Sequence, residues 1–454
     1  MKTSSYLQDI LSTIADQGRN LLPRSLRSAQ PEEDIRELAA ALLSVRGEAS
    51  GVAIASEILG LYEQLDQAAK LGFLHFLAES MDPETQTVRT AADAYFENPS
   101  AATLRALRSA AEGPRQSFFR RLNMPTGATA KIVAMRRDLL EARDPKLASV
   151  DHDLMHLLVS WFNRGFLVLR RIDWQTPAAI LEKIIRYEAV HEIQGWDDLR
   201  RRLDPADRRC FAFFHPSLVD EPLIFVEVAL MRAIPENIHS VLREARKTGA
   251  PASEPTTAVF YSISNCQEGL RGISFGNFLI KQVVEELRRD YPALDTFVTL
   301  SPVPGFAAWL KRERHSGSSR ALTQEDLEAL ANLDIEGWWQ VPETREPVEE
   351  PLMRAAAWYF LYARNARGLP ADPVARFHLG NGARLEQMHF LADGSENGIR
   401  QSFGVMVNYL YDLDDIEKNH EAFAENRMVV ASSAVRKLAR PGPTGDVVPL
   451  ASKA

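Results

Sequence analysis

Along the first 170 or so residues, apolar positions recur at spacings of three and four, the period of helices that bury one face. DIRELAAALLSVRG (34–47), SEILGLYEQLDQAAKLGFLHFLAES (56–80), TVRTAADAYFEN (87–98) and AATLRALRSAAEG (101–113) each predict a helix, and β-branched alternation is rare among them. Asp82-Pro83 and Asn98-Pro99 are breaks, because proline restricts the residue before it and donates no backbone hydrogen bond. TAKIVAMRRDLLEAR (129–143) and HDLMHLLVSWFNRGFLVLRRI (152–172) continue the helical region.

The pattern changes after about residue 170. Thr176-Pro177 predicts a capped helix start followed by AAILEKIIRYEAV. CFAFFHP (210–216), PLIFVEVAL (222–230), TAVFYSIS (257–264) and DTFVTLS (295–301) are rich in β-branched and aromatic residues and predict strands. Between them lie the helices NIHSVLREARK, FGNFLIKQVVEELRRD (275–290) and FAAWLKRER, with a further helix expected at 351–366 and a late strand at SFGVMVNYLYDL (402–413). The expected class is α+β: an all-helical domain over 1–170, an α/β domain with a mixed sheet over 171–440, and a loose tail over 441–454.

The chain has 454 residues, 45% of them apolar, enough for two domains of ordinary size. A formal net charge of -8 argues against a dedicated nucleic-acid surface, although a small basic pocket for phosphates remains compatible with it. Two cysteines, Cys210 and Cys266, fit a reducing compartment better than a disulfide framework. The first residues lack the apolar core of a signal peptide, no run approaches the roughly 18 apolar residues of a membrane span, and the closing Ser452-Lys453-Ala454 lacks the Leu of a peroxisomal address. These features predict a cytoplasmic protein without a membrane partner.

Chemistry enters first at a glycine-rich turn between a strand and a helix: Gly269, Arg271, Gly272, Ser274, Gly276 and Asn277. Glycines allow backbone N–H groups to form a concave anion site, the helix N-terminus adds donors, and Arg271 can supply a charged fork. The same glycines could serve only close helix–strand packing. No GxxxxGK[ST] pattern is present. His152 and His156 stand four apart, but HDLMH is not HExxH and no third ligand follows, so no metal is expected. His215, before Pro216, reads as a turn anchor and Cys266 as a small packing residue. Ser301 ends an apolar strand just before Pro302, His378 lies in the short FHLGNG segment, and Tyr411 lies in NYLYDL. Each alone has an ordinary structural use: capping, a loop hydrogen bond, or core packing.

Two resemblances sharpen this. Arg271, Gly272 and Gly276 resemble the Arg-Gly-x-Gly-x-Gly pyrophosphate loop of the GCN5-related N-acetyltransferase fold, with Ser274 standing at its middle glycine. FYSISNCQEGLRGISFGNFLIKQVVEELRRDYP, FVTLSPVPGFAAWL and DPVARFHLGNGARLEQ, supported by RRCFAFFHPSLVDEPLIFVEVAL and WFNRGFLVLRRIDWQTPAAILEKI, closely resemble the malonyl-CoA decarboxylase family over roughly residues 120–430. That resemblance implies a helical N-terminal domain, an acetyltransferase-like catalytic domain, and conversion of malonyl-CoA to acetyl-CoA and carbon dioxide. It implies catalytic roles for Ser301 and His378 and an active-site position for Tyr411, which would close or polarise the acyl pocket. The turn at 269–277 would hold the coenzyme A diphosphate. Coenzyme A would enter as part of substrate and product, with no separate cofactor required, and the helical domain would offer a homo-oligomer surface. An acyl-CoA-dependent acyltransferase, a malonyl-CoA hydrolase and a nonenzymatic acyl-CoA-binding regulatory protein remain as alternatives.

Overall fold

The computed structural model describes residues 31–44, 47–243, 254–273, 278–316 and 319–439. Ser274, Gly276, Asn277 and the tail at 441–454 therefore lie outside the described residues. The chain divides into two compact units: a helical one, formed by residues up to 168 together with 214–223 and 267–275, and a sheet-bearing one formed by 169–213, 224–266 and the residues from 276 onward.

The helical unit contains α1 (Pro31–Ser44), α2 (Glu48–Gln64), α3 (Gln67–Ser80), α4 (Thr85–Glu97), α5 (Ala101–Ala111), α6 (Pro114–Leu122), α7 (Ala128–Ala142) and α8 (Ala148–Trp161). The single helix expected at 56–80 is two, because Asp66 takes an extended conformation and accepts a hydrogen bond from Ala69 N at 2.8 Å, capping a new helix. The helical pattern expected through residue 172 also stops early. α8 ends at Trp161, and LVLRRI supplies strand β1 (Val168–Ile172) after a short 3-10 turn at Arg164–Phe166.

Apolar stripes from α1, α2, α3, α6, α7 and α8 meet in a core that includes Leu38, Ile58, Phe73, Leu77, Phe118, Phe119 and Ile132. Arg115 is buried among them. Its Nε donates to Asp153 at 2.7 Å, and one terminal nitrogen donates to Asp82 at 2.7 Å and to the Leu77 carbonyl at 3.1 Å. By contrast, α4 and α5 bury no residue at all; they pack on each other and stand exposed, with Phe96 78% and Leu104 42% accessible.

The sheet runs β1, β2 (Arg208–Phe214), β3 (Pro222–Met231), β4 (Thr257–Asn265), β5 (Thr296–Thr299), β8 (Met406–Leu410) and β6 (Ser301–Pro302), with β7 (Arg384–His389) beside β8. β4 and β5 are parallel, whereas β3–β4, β5–β8, β6–β8 and β7–β8 are antiparallel, so the sheet is mixed as expected. The helices that matter below are α9 (Ala178–Tyr187), α13 (Phe306–His315), α15 (Pro342–Tyr362), α16 (Pro373–Gly380) and α17 (Glu396–Ser402), numbered so that Trp196–Leu203, Ile238–Arg243, Phe278–Asp290 and Gln324–Leu330 are α10, α11, α12 and α14.

Local expectations shift here too. Thr176 does not cap α9; its hydroxyl accepts from Asp173 N at 3.0 Å, and Pro177 occupies the cap position. The helix expected at 351–366 begins at Pro342, a residue well tolerated in a first turn. The strand expected over 402–413 is only Met406–Leu410, since α17 runs to Ser402 and the positive φ angles of Phe403 and Gly404 reverse the chain. The strand expected over 295–301 runs through: β5 and β6 keep one register against β8, at Val298–Leu410, Ser301–Val407 and Pro302–Met406, and Leu300 between them donates to Phe260 O on β4 at 3.0 Å.

The Arg115 knot yields a test. Arg115→Met leaves Asp153 and a backbone carbonyl without their buried cation and should cost the helical unit about 3 kcal/mol. Hydrogen exchange checks it: protected amides of α6 should exchange about a hundredfold faster than in the parent protein.

Candidate active site

Ser301, His378 and Tyr411 come together from three elements of the sheet-bearing unit. Ser301 opens β6, directly after Leu300, the last residue of this strand to bond to β4. His378 lies on α16, so FHLGNG is helical as far as Gly380 rather than a loop; Asp372 caps this helix by accepting from Ala375 N at 2.8 Å, and Pro373 occupies its first turn. Tyr411 follows the last residue of β8 and keeps the pairing going by donating its N–H to Phe297 O at 2.8 Å.

His378 Nδ1 lies 2.8 Å from the Tyr411 hydroxyl, and Nε2 lies 3.3 Å from Ser301 Oγ. Ser301 Oγ donates in turn to Thr299 Oγ1 at 2.9 Å, and that oxygen also accepts from Tyr409 N at 3.1 Å. The imidazole stacks on the Tyr409 ring, with centroids 4.5 Å apart and planes 22° from parallel. Burial pushes the imidazole down to about 3 and pushes the Tyr411 phenol well above its ordinary range, so both are neutral near pH 7. A buried phenol must place its proton, and the His378 Nδ1 lone pair receives it. The ring is thereby held as the Nε2–H tautomer, giving a polarised chain from Tyr411 through His378 and Ser301 to Thr299.

A cavity of about 250 Å³ opens beside this chain, lined by Val190, Phe260, Ile263, Ser301, Phe377 and His378 among others. Tyr411 is not part of its lining. Its hydroxyl meets the imidazole at Nδ1, whereas Ser301 meets it at Nε2. The Val190 wall is anchored by Glu188, whose carboxylate accepts from the N–H groups of Val190 and His191 at 2.8 Å each and from Ser262 Oγ at 2.7 and 2.9 Å.

The glycine turn belongs to the helical unit, and packing constrains it. A Cβ on Gly269 would sit 1.9 Å from the Val133 carbonyl oxygen on α7, so this glycine is required by close approach of two backbones. Buried Arg136, also on α7, pairs with Asp151 and donates to the carbonyls of Gly269 and Arg271 at 2.7 and 2.9 Å. The N–H groups of Leu270, Arg271 and Ile273 are spent within the turn on Gln267, Glu268 and Leu270 carbonyls. Gly272 has φ +86°, and the Arg271 side chain is exposed.

The remaining candidates settle into structural uses. His215 Nδ1 accepts from Ser217 N at 3.1 Å, and its ring packs on Phe162 with centroids 4.7 Å apart, which makes it a turn anchor. Cys266 is buried, its sulfur 3.8 Å from the Ser264 carbonyl. Among the described residues, no group of three or more His, Cys, Asp or Glu side chains could hold a metal ion. Sequence reasoning missed Thr299, Tyr409 and Asp372. Thr299 sits two residues before Ser301, and Asp372-Pro373 is a helix-start signal, so both were open to detection; the stacking of Tyr409 was not, because it depends on how β8 meets α16.

Comparison with known proteins agrees with this architecture. Residues 165–447 match the malonyl-CoA decarboxylase C-terminal domain, and residues 81–162 match the malonyl-CoA decarboxylase N-terminal domain. The mitochondrial malonyl-CoA decarboxylase of Anser anser anser is 36% identical over 345 residues, covering 70% of this chain and 68% of the relative, and that of Rattus norvegicus is 36% identical over 353 residues, covering 71% and 70%. Crystal structures of malonyl-CoA decarboxylase from Rhodopseudomonas palustris and Agrobacterium vitis are each 56% identical to it, with TM-scores of 0.86 and 0.85; they cover 89% and 90% of this chain, which covers 99% and 100% of theirs. By matches that extend across both its helical and its sheet-bearing regions, the chain belongs to the malonyl-CoA decarboxylase family.

Proposed function

We propose that the chain converts malonyl-CoA to acetyl-CoA and carbon dioxide in the cavity beside Ser301 and His378. The observation that carries this reading is the buried, neutral His378, whose Nε2–H is held ready by Tyr411 and faces the same cavity as the Ser301 hydroxyl. In the reaction the bond between the carboxylate carbon and C2 breaks, carbon dioxide leaves, and the electron pair moves into the thioester to form an enolate. The enolate then takes one proton at C2 to give acetyl-CoA. The thioester is itself the electron sink, so the chemistry asks for no separate organic cofactor.

What the protein supplies is orientation and a donor for the developing oxyanion. A neutral imidazole N–H can do this without carrying a charge into a dry site, and one well-placed donor of this kind is worth about 3 kcal/mol. Ser301 Oγ lies within reach of the same space and orients the malonyl carboxylate. Tyr411 fixes the tautomer. An acyltransferase reading would need a second site for an acceptor, and Phe260, Ile263 and Phe377 make the cavity wall largely apolar. The coenzyme A diphosphate is assigned to the turn at 269–277, where Arg271 is the exposed cation. A cytoplasmic location completes the reading, supported by two buried cysteines and by the lack, among the described residues, of a helix long and apolar enough to cross a membrane.

Self-association is assigned to the α4–α5 hairpin. Two helices of 13 and 11 residues without a buried side chain are too short to be stable on their own contacts. The hairpin carries Arg89, Arg105 and Arg108 alongside Asp93, Glu97 and Glu112, a mixed surface that a second copy of the chain can complement.

Three measurements check these assignments. His378→Ala and Ser301→Ala should each slow single-turnover carbon dioxide release by about a hundredfold while malonyl-CoA affinity is retained, and Tyr411→Phe should slow it less; near-parent rates in the first two would remove the site. Arg271→Ala should weaken coenzyme A and malonyl-CoA binding by the same factor in calorimetric titrations, since both carry the same diphosphate. Phe96→Glu should shift the mass measured by light scattering toward the monomer, and a parent protein already monomeric at working concentration would reject the hairpin as an interface.

A further inference from the structure

The mechanism leaves one buried acid unused. Asp372 is 1% exposed and has no cation within hydrogen-bonding distance among its contacts. Its carboxylate accepts the Ala375 N–H at the start of α16 at 2.8 Å, and the backbone N–H groups of Val374 and of Gly305, in the turn that follows Ser301, lie close enough to stabilise its charge. The approach of that turn depends on a missing side chain, because a Cβ on Gly305 would lie 2.5 Å from the Tyr359 hydroxyl and 3.7 Å from Asp372 Oδ2. Tyr359, on α15, donates to the same oxygen at 3.4 Å. One carboxylate therefore ties the segment that presents Ser301 to the helix that presents His378.

We propose that Asp372 is a positioning residue for the decarboxylation: its ionised carboxylate holds Ser301 against His378, and its protonation as the pH falls loosens that pair and slows turnover. This rests on the reading of Ser301 and His378 as the chemical site. Protonation matters because a carboxyl group gives up acceptor capacity and gains an O–H donor, while the Ala375 N–H bonded to it and the other N–H groups facing it remain. The groups facing Asp372 are few. Tyr359 lies on α15; Arg376 lies on α16, its guanidinium held on the Pro370 and Ala371 carbonyls at 2.7 and 2.9 Å; Tyr409 lies on β8; and Arg312 on α13 acts on Tyr359. Burial raises the Asp372 carboxyl to about 6, against the pull of the N–H groups of Ala375, Gly305 and Val374, while burial takes His378 down to about 3. An acid limb of turnover near pH 6 is thus expected from Asp372, with His378 neutral throughout that range.

The test is the pH dependence of kcat and KM for malonyl-CoA between pH 5 and pH 8.5 in the full-length protein, with His378→Ala measured alongside. The parent should lose turnover as the pH falls through about 6, with KM little changed. Asp372→Asn keeps a side-chain cap but cannot titrate. It should lower kcat at pH 8 by between about tenfold and about a hundredfold and flatten the acid limb, with KM within about twofold of the parent. Tyr359→Phe removes a donor to the carboxylate, which destabilises its charged form and should move the limb to higher pH. A folded Asp372→Asn protein with parent kcat and an unmoved limb overturns the proposal; should that variant not fold, an unmoved limb in Tyr359→Phe overturns it equally. If His378→Ala keeps parent turnover, the site itself is misassigned, a result separate from an unmoved limb in an otherwise His378-dependent enzyme.

Discussion

An imidazole with almost no contact with water must be neutral, and each of its nitrogens must find a partner; the arrangement around His378 follows from that constraint. With one lone pair and one N–H to satisfy, the ring needs a donor on one side and an acceptor on the other. Tyr411 is a suitable donor because its own burial keeps the phenol protonated. Ser301 is a suitable acceptor because its own proton goes to Thr299, whose position is set by the Tyr409 N–H. Tyr409 then covers the ring face. Removing any member leaves another with an unmet hydrogen bond in a dry site, so these residues form a unit rather than a set of independent contributors.

Ser301 lies just beyond the point where its strand leaves β4. Pairing with β4 ends at Phe260–Thr299 and the Leu300 N–H to Phe260 O, whereas β5 and β6 keep one register against β8 through Val298–Leu410, Ser301–Val407 and Pro302–Met406, and Ser301 meets His378 past that parting. The neighbouring carboxylates hold backbone in the same manner. Glu188 fixes the loop behind Val190 through the N–H groups of Val190 and His191, and Asp372 caps α16 at Ala375 N while lying against the turn at Gly305. A carboxylate bound in this way orients two segments at once without bringing a second charge near the acyl pocket.

The glycine turn answers to packing before anything else. Gly269 is dictated by the backbone of α7, and Arg136 draws the turn's carbonyls inward. Packing thus determines the first half of the turn, and the exposed Arg271 with the positive φ of Gly272 is what it presents outward.

The sequence by itself determined the class of the protein. Spacings of three and four give helices at the N-terminal end, β-branched and aromatic runs give the later strands, and long stretches such as DPVARFHLGNGARLEQ identify the family, because these signals are carried by neighbours along the chain. Ser301, His378 and Tyr411 could be singled out, but their division of labour could not. Which ring nitrogen of His378 meets Ser301 and which meets Tyr411 depends on contacts between residues 77 or 33 positions apart in the chain. Local propensity extends a helix through 56–80 and past Trp161; Asp66 and the demand for a β1 edge stop it. The charge states were decided last, and only in the tertiary structure, because desolvation is a property of everything packed around a group and not of the residues next to it in sequence.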